Sequence, residues 1–271
     1  SSDLLVHHHR EQREQERVWT TIGLERRHNP KLQYSSRDQF VAEIAKKLER
    51  PPYFREMERL NIQGPPILGK LPVPSPLSAD TFEQKRAEAL VLDTRTDLAF
   101  GAAHVPKSLS IWFDGLSSFA GWFLTYDRPL LLVNEVQDPT PVVRQLVRLG
   151  YDHIAGYLAG GLLDWHMAGR ESSSIEMVTV QDLCQQLDAD QDLWILDVRS
   201  DKELAQDGEI PDAHHIHVME LPERLDDVPR GQKVAIFCGS GLRSMMAASL
   251  LQSTGWHNLV VVLGGLTGWN S

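Results

Sequence analysis

The chain repeats itself at a fixed spacing of 104 residues, and this repeat limits its folds more than any other sequence feature. Three motifs occur twice at that spacing, at the following pairs of positions: Asp93 and Asp197, Asn134 and Cys238, and Trp165 and Trp269. The first two pairs end apolar runs, and the third follows a pair of glycines. Equal offsets across separate motifs are the signature of a duplicated structural unit. The sequence therefore predicts two copies of one domain.

Short apolar runs alternate with segments of helical spacing inside each copy. Residues 130–133 and 234–237 have the composition of buried strands, and helical patterns that end near a glycine follow them. This alternation predicts a parallel sheet flanked by helices, with sites at the carboxyl ends of the strands. We predict an α/β chain with domains at residues 76–172 (the first copy) and 176–271 (the second copy).

Residues 1–75 lie outside the repeat, and we predict that they form a helical and extended segment. Residues 7–17 are a charged arm, and residues 38–48 have amphipathic spacing. Residues 64–76 contain five prolines, which is typical of an extended connector. The chain starts at Ser1 rather than at a methionine, which suggests a processed product or a fragment of a longer protein.

The loop that begins at Cys238 carries the strongest chemical signal. A cysteine at the end of a buried strand, before a glycine-containing loop and a helix, lies where backbone N–H groups and the helix dipole favour an anion. Such a site favours the nucleophilic thiolate. The alternative is a buried structural cysteine. The candidate catalytic residue is Cys238, and the candidate substrate-binding residues are Gly239, Ser240, Gly241, Leu242, Arg243 and Ser244.

Composition excludes several classes of protein. The net charge of -10 argues against a general nucleic-acid binder, because phosphate contacts need clustered Lys and Arg. No apolar stretch approaches the length of a membrane span, and no secretory signal opens the chain. Cys184 and Cys238 are the two cysteines, too few for a disulfide framework. We therefore expect a cytoplasmic protein without membrane or nucleic-acid partners.

Four motifs of the second copy, in order, resemble a rhodanese sulfurtransferase domain. They are Leu-Asp-Val-Arg at 196–199, Gly-Glu-Ile-Pro-Asp-Ala at 208–213, Cys-Gly-Ser-Gly-Leu-Arg-Ser at 238–244, and Leu-Gly-Gly-Leu-Thr-Gly-Trp at 263–269. The resemblance implies that Cys238 carries sulfane sulfur as a persulfide, from thiosulfate or a persulfide to a thiol or cyanide. It implies a small-molecule donor, a thiol acceptor and no cofactor. Glu209 and Asp212 depart from the family, which usually has His and Gly there.

Residues 23–66 resemble the end of the metallo-β-lactamase-fold part of persulfide dioxygenase–rhodanese fusion proteins. The resemblance rests on Gly-Leu-Glu-Arg-Arg-His-Asn at 23–29, on residues 50–61 and on Gly-Pro-Pro at 64–66. It implies a metallo-β-lactamase-fold dioxygenase as a partner. The metal-binding segment of that fold is missing from this sequence, and the adjacent side chains of residues 7–9 would diverge rather than converge on a metal. We therefore expect no catalytic metal.

The first copy lacks the chemistry of the second. Asn134 replaces the cysteine, Glu135 and Asp138 would repel an anionic donor, and Pro139 replaces the arginine. We predict a structural or docking role for this copy. The pairs Asp93–Arg95 and Asp197–Arg199 recur in both copies, which favours a role in ordering the fold.

Two other functions remain open at this point. The first is a non-catalytic tandem scaffold that binds a partner such as the dioxygenase. The second is a phosphatase-like enzyme, which the loop length disfavours: related phosphatases have one residue more between the cysteine and the arginine than the Cys238–Arg243 loop. His214, His215 and His217 are more easily explained as surface or core partners than as pocket residues. A homo-oligomer is compatible with the sequence.

Overall fold

A computed structural model of the chain describes residues 19–45, 50, 53–65, 67–188 and 193–269. Two short helices lie in the compact unit of residues 1–50, at α1 (Ile22–His28) and α2 (Arg37–Ile44). The second unit, residues 51–271, begins with α3 (Tyr53–Gln63). The segment predicted to be amphipathic is helical as far as residue 44, but its apolar side chains Phe40, Val41 and Ile44 are exposed. The predicted charged arm at residues 7–17 lies outside the described residues.

Each copy contributes five strands and four or more short helices. The first copy contains β1 (Pro76–Leu77), α4 (Ala79–Lys85), β2 (Leu90–Asp93), α5 (Asp97–Ala102), β3 (Leu109–Ser110), α6 (Leu116–Phe123), β4 (Leu130–Val133), α7 (Thr140–Arg148), β5 (Ile154–Leu158) and α8 (Gly161–Met167). The second contains β6 (Glu176–Val178), α9 (Val180–Asp188), β7 (Leu193–Asp197), α10 (Asp201–Asp207), β8 (His214–His215), β9 (Lys233–Phe237), α11 (Leu242–Ser253), β10 (Leu259–Val262) and α12 (Gly265–Trp269).

The two sheets have the same topology. The strand order is β1-β5-β4-β2-β3 in the first and β6-β10-β9-β7-β8 in the second, and every pair of neighbours is parallel. The central strands β4 and β9 are almost wholly buried, as expected for strands covered by helices on both faces. The predicted α/β fold with two parallel sheets is confirmed.

Local sequence signals set where several helices begin. Thr96 accepts a hydrogen bond from the N–H of Ala99 at the start of α5. Ser200 and Glu203 form a complete capping box at the start of α10. The N–H groups of the first turn would otherwise lack partners, so these side chains fix the first residue of each helix after its strand.

One of the hydrophobic core clusters extends across both copies. The helix α11 of the second copy packs against β3, the edge strand of the first sheet, and the hydroxyl of Ser249 accepts a hydrogen bond of 2.9 Å from the N–H of Ser110. His104 stacks on Phe100 and reaches Oε1 of Gln252 at 2.7 Å. An unpaired strand edge is a liability in a free domain. Here the second copy covers it.

The helix α3 packs on the first copy. A β-carbon placed on Gly121 of α6 would lie 1.8 Å from the ring of Tyr53, so only glycine allows this approach. No helix in the described parts of the chain is both long and apolar enough to cross a membrane.

Candidate active site

The cysteine loop lies at the carboxyl end of β9, the middle strand of the second sheet. Cys238 follows the strand directly, and Gly241 is the N-cap residue of α11. Gly241 has a φ of 113°, a backbone conformation that residues with a β-carbon rarely adopt. Its N–H donates a hydrogen bond of 3.1 Å to Sγ of Cys238. The loop therefore turns a backbone N–H onto the sulfur at the positive end of a helix.

Cys238 itself is completely buried. It belongs to the hydrophobic core that the two copies share. Ser240 is exposed at the tip of the loop, and Leu242 is half-buried. Ser244 is buried in the first turn of α11, and its hydroxyl has no hydrogen-bond partner among the described residues.

Arg243 is held by a carboxylate from another helix. Its two Nη atoms donate to the two carboxylate oxygens of Glu203 at 2.7 and 2.5 Å. This hydrogen bonding lowers the pKa of Glu203 to about 2 and raises the pKa of Arg243. Glu203 also accepts from the N–H and hydroxyl of Ser200 in the capping box. One carboxylate thus connects the start of α10 to the cysteine loop.

The glycine pair before α12 closes the loop from the other side. A β-carbon on Gly265 would lie 2.0 Å from the carbonyl oxygen of Cys238, so the backbones touch. That oxygen accepts a hydrogen bond of 2.9 Å from the N–H of Leu266. The hydroxyl of Thr267 donates to the oxygen of Gly239 at 3.2 Å. Two carbonyl oxygens of the loop are thereby held by the segment that begins α12, and the N–H of Gly241 is the one that binds the sulfur.

The Asp197–Arg199 pair lies beneath the site and has the same geometry as Asp93–Arg95. Arg199 is completely buried, binds both oxygens of Asp197 and donates 3.0 Å to the oxygen of Gly208. Arg95 likewise donates 2.7 Å to the oxygen of Ala103. Each pair ties the end of a strand to the segment after the next helix, which supports the prediction that the pairs order the fold.

The histidines after β7 do not converge on the cysteine loop as a group. His214 stacks on Trp194, with ring centroids 4.4 Å apart. His215 is bound through Nε2 to the oxygen of Arg199 at 2.7 Å. Burial lowers the pKa of His217, and the charges of Arg243 and Glu203 act on this histidine in opposite directions. Within the described ranges, no three His, Cys, Asp or Glu side chains are arranged to hold a metal ion.

The first copy has no comparable loop. Asn134 takes the place of the cysteine, and its Oδ1 accepts from the hydroxyl of Thr94 at 3.1 Å. Asp138 accepts 2.9 Å from the N–H of Thr140 at the start of α7. A carboxylate therefore occupies the helix N-terminus that an anionic ligand would use.

Sequence reasoning missed Glu203 as part of the site. The capping signal Ser200-x-x-Glu203 was available, but it indicates only a helix start.

Comparisons with known proteins find a family model for the second copy and relatives of parts of the chain. Residues 179–271 match the rhodanese-like domain family. "Putative sulfurtransferase YtwF" of Bacillus subtilis is 34% identical over 35% of this chain and 90% of that protein. "Sulfurtransferase" of Allochromatium vinosum is 32% identical over 35% of this chain and 88% of that protein. A solved metallo-beta-lactamase structure from Staphylococcus aureus is 24% identical over 52% of this chain and 40% of that chain, with a TM-score of 0.42. The family model and the two sulfurtransferase relatives show that the chain belongs to the rhodanese-like family.

Proposed function

We propose that this protein is a sulfurtransferase in which Cys238 carries sulfane sulfur as a persulfide. The observation that carries the proposal is the hydrogen bond from the N–H of Gly241 to Sγ at the N-terminus of α11. A backbone donor and a helix dipole stabilise first the thiolate and then the terminal persulfide anion. The names of the two sulfurtransferase relatives support the same reaction class.

The reaction has two displacements. The Cys238 thiolate attacks the outer sulfur of thiosulfate; a sulfur–sulfur bond forms, the bond to the sulfonate sulfur breaks, and its electron pair leaves with sulfite. With a persulfide donor, the leaving group is the donor thiolate. An acceptor thiolate or cyanide then attacks the outer sulfur and releases the Cys238 thiolate. Charge and electrons balance in each step without a cofactor.

In this mechanism the remaining loop residues bind the sulfur donor and hold the shape of the loop, and none of them reacts. Gly239 and Gly241 allow the backbone to approach the sulfur, and Ser240 and Leu242 form the mouth of the loop. Arg243, fixed by Glu203, orders the loop. The hydroxyl of Ser244, which has no partner among the described residues, is free to donate to a bound sulfur.

Intact mass spectrometry tests the proposal. After incubation with thiosulfate or glutathione persulfide, we expect an adduct of about +32 Da on Cys238, one sulfur atom on the thiol ladder. Cys238→Ala should lose both the adduct and transfer to cyanide, whereas Cys184→Ala should retain them. Turnover that persists in Cys238→Ala would refute the mechanism.

Complete burial of Cys238 favours a second candidate, a non-catalytic scaffold for a partner protein. The resemblance of residues 23–66 supports a persulfide dioxygenase as that partner. Two results together would favour the scaffold: Cys238 does not react with iodoacetamide at neutral pH, and the chain associates with a persulfide dioxygenase during sedimentation. The less favoured phosphatase activity would appear as hydrolysis of para-nitrophenyl phosphate that Cys238→Ala abolishes.

Both cysteines are free, which fits the reducing cytoplasm we propose for this protein.

A further inference from the structure

The first copy places a carboxylate beside the cysteine loop of the second. Asp97 begins α5, and a β-carbon placed on Gly241 would lie 3.6 Å from its Oδ2 atom. Gly241 is the residue whose N–H binds the Cys238 sulfur. The carboxylate of Asp97 makes no hydrogen bond or ion pair with any residue in the part of the chain that the structure describes.

The other charges near the loop compensate one another. Arg243 is bound by both oxygens of Glu203 and so has no unpaired charge left for a ligand. Burial lowers the pKa of His217, which favours its neutral form. Asp197, which lies beneath the loop, is bound by Arg199. Asp97 is therefore the charge near Gly241 that the described residues leave uncompensated.

We infer that Asp97 is a specificity-determining residue that disfavours dianionic sulfur donors such as thiosulfate. It favours donors that carry less negative charge than thiosulfate or that carry an ammonium group, such as an amino-acid persulfide. The inference rests on the proposed sulfur transfer at Cys238 and assigns its donor class. It also gives the first copy, which has no cysteine of its own, a part in the second copy's reaction.

Elementary electrostatics sets the size of the effect. A unit charge ~7 Å from an approaching anion in a water-like dielectric changes its local concentration about threefold, and about tenfold for a dianion. Salt should reduce both factors, because exposed charges at this distance are screened.

Two alkylating reagents of similar size measure the effect without sulfur transfer. We would compare the rates at which iodoacetate, an anion, and iodoacetamide, which is neutral, modify the Cys238 peptide of the full chain at low ionic strength. Asp97→Asn should raise the iodoacetate-to-iodoacetamide ratio about threefold. The matched control is Asp152→Asn, which removes an exposed carboxylate of the same copy just before β5, at the amino end of the first sheet.

Persulfide formation provides the second measurement. Asp97→Asn should increase the rate of the +32 Da adduct with thiosulfate about tenfold and change the rate with cysteine persulfide much less. A ratio that is equal in Asp97→Asn and Asp152→Asn, while the adduct still forms, overturns the role of Asp97 but not the transferase. A shifted alkylation ratio without any adduct overturns the transferase and retains Asp97 as a charge filter. If neither reagent modifies Cys238 in any variant, small molecules do not reach the sulfur by way of Asp97, and the inference fails.

Discussion

Glu203→Gln removes the charge that fixes Arg243 and keeps nearly the same shape. The pKa of Glu203 falls from an ordinary 4.5 to about 2, which corresponds to about 3 kcal/mol of differential interaction. The side chain retains 30% exposure, so water screens the pair and we take about half, ~1.5 kcal/mol. Urea unfolding at pH 7 should show Glu203→Gln to be less stable by that amount.

The pH dependence has a definite sign. The folded pKa of Glu203 lies below the unfolded one, so its contribution is complete above about pH 4.5 and is lost as pH falls toward 2. The difference in unfolding free energy between wild type and Glu203→Gln should therefore shrink by more than half, roughly, between pH 7 and pH 3. A loosened loop should also lower kcat/KM for sulfur transfer by roughly tenfold.

A second Glu–Arg pair, away from the cysteine loop, provides a control for the general effect of removing a paired carboxylate. Glu56 binds Arg59 through both oxygens at 2.8 and 2.5 Å, but within one turn of α3, where the side chain of Arg59 is 49% exposed against 21% for Arg243. Glu56→Gln should leave sulfur transfer unchanged and affect stability less than Glu203→Gln. Equal effects of the two substitutions, or a stability difference for Glu203→Gln that does not depend on pH, would refute the role assigned to the Glu203–Arg243 pair.

Two further predictions concern backbone contacts. Gly265→Ala should destabilise the fold by more than about 2 kcal/mol, because the new β-carbon would collide with the carbonyl oxygen of Cys238. Gly161 is the matching residue of the first copy and has open space around it. Gly161→Ala should cost only the strain of a positive φ, about 1 kcal/mol. A comparable cost at both positions in urea unfolding would contradict the collision. Ser249→Ala should lower the free energy of unfolding by about 1–3 kcal/mol, because it leaves the N–H of Ser110 unpaired. The hydroxyl of Ser253 donates to Leu250 in its own helix, so Ser253→Ala should cost less. Equal costs would argue against a stabilising hydrogen bond between the copies.

The strands and the cysteine loop could be predicted because their signals are local. Leu130–Val133 is an unbroken apolar run, and Cys238 ends another, so sheet positions follow from composition. The edge strands β3 and β8 have two residues each, too few for a periodic pattern. Contacts between distant segments also escaped prediction: Glu203 meets Arg243 across 40 positions, and Asp97 approaches Gly241 from the other copy. Such pairings are set by tertiary packing, which a single sequence does not encode locally.

The burial of α11 has a consequence for how this protein can be divided. Its residues 244–249 are buried on every side of the helix, Met245 and Met246 included, because one face packs on its own sheet and another on the first copy. A helix that is apolar all round needs cover on all faces. We expect a fragment starting at residue 176 to expose an apolar, methionine-containing surface of α11 and to self-associate. We therefore expect the second copy to stay monomeric only when the first copy, which covers one face of α11, is part of the same polypeptide.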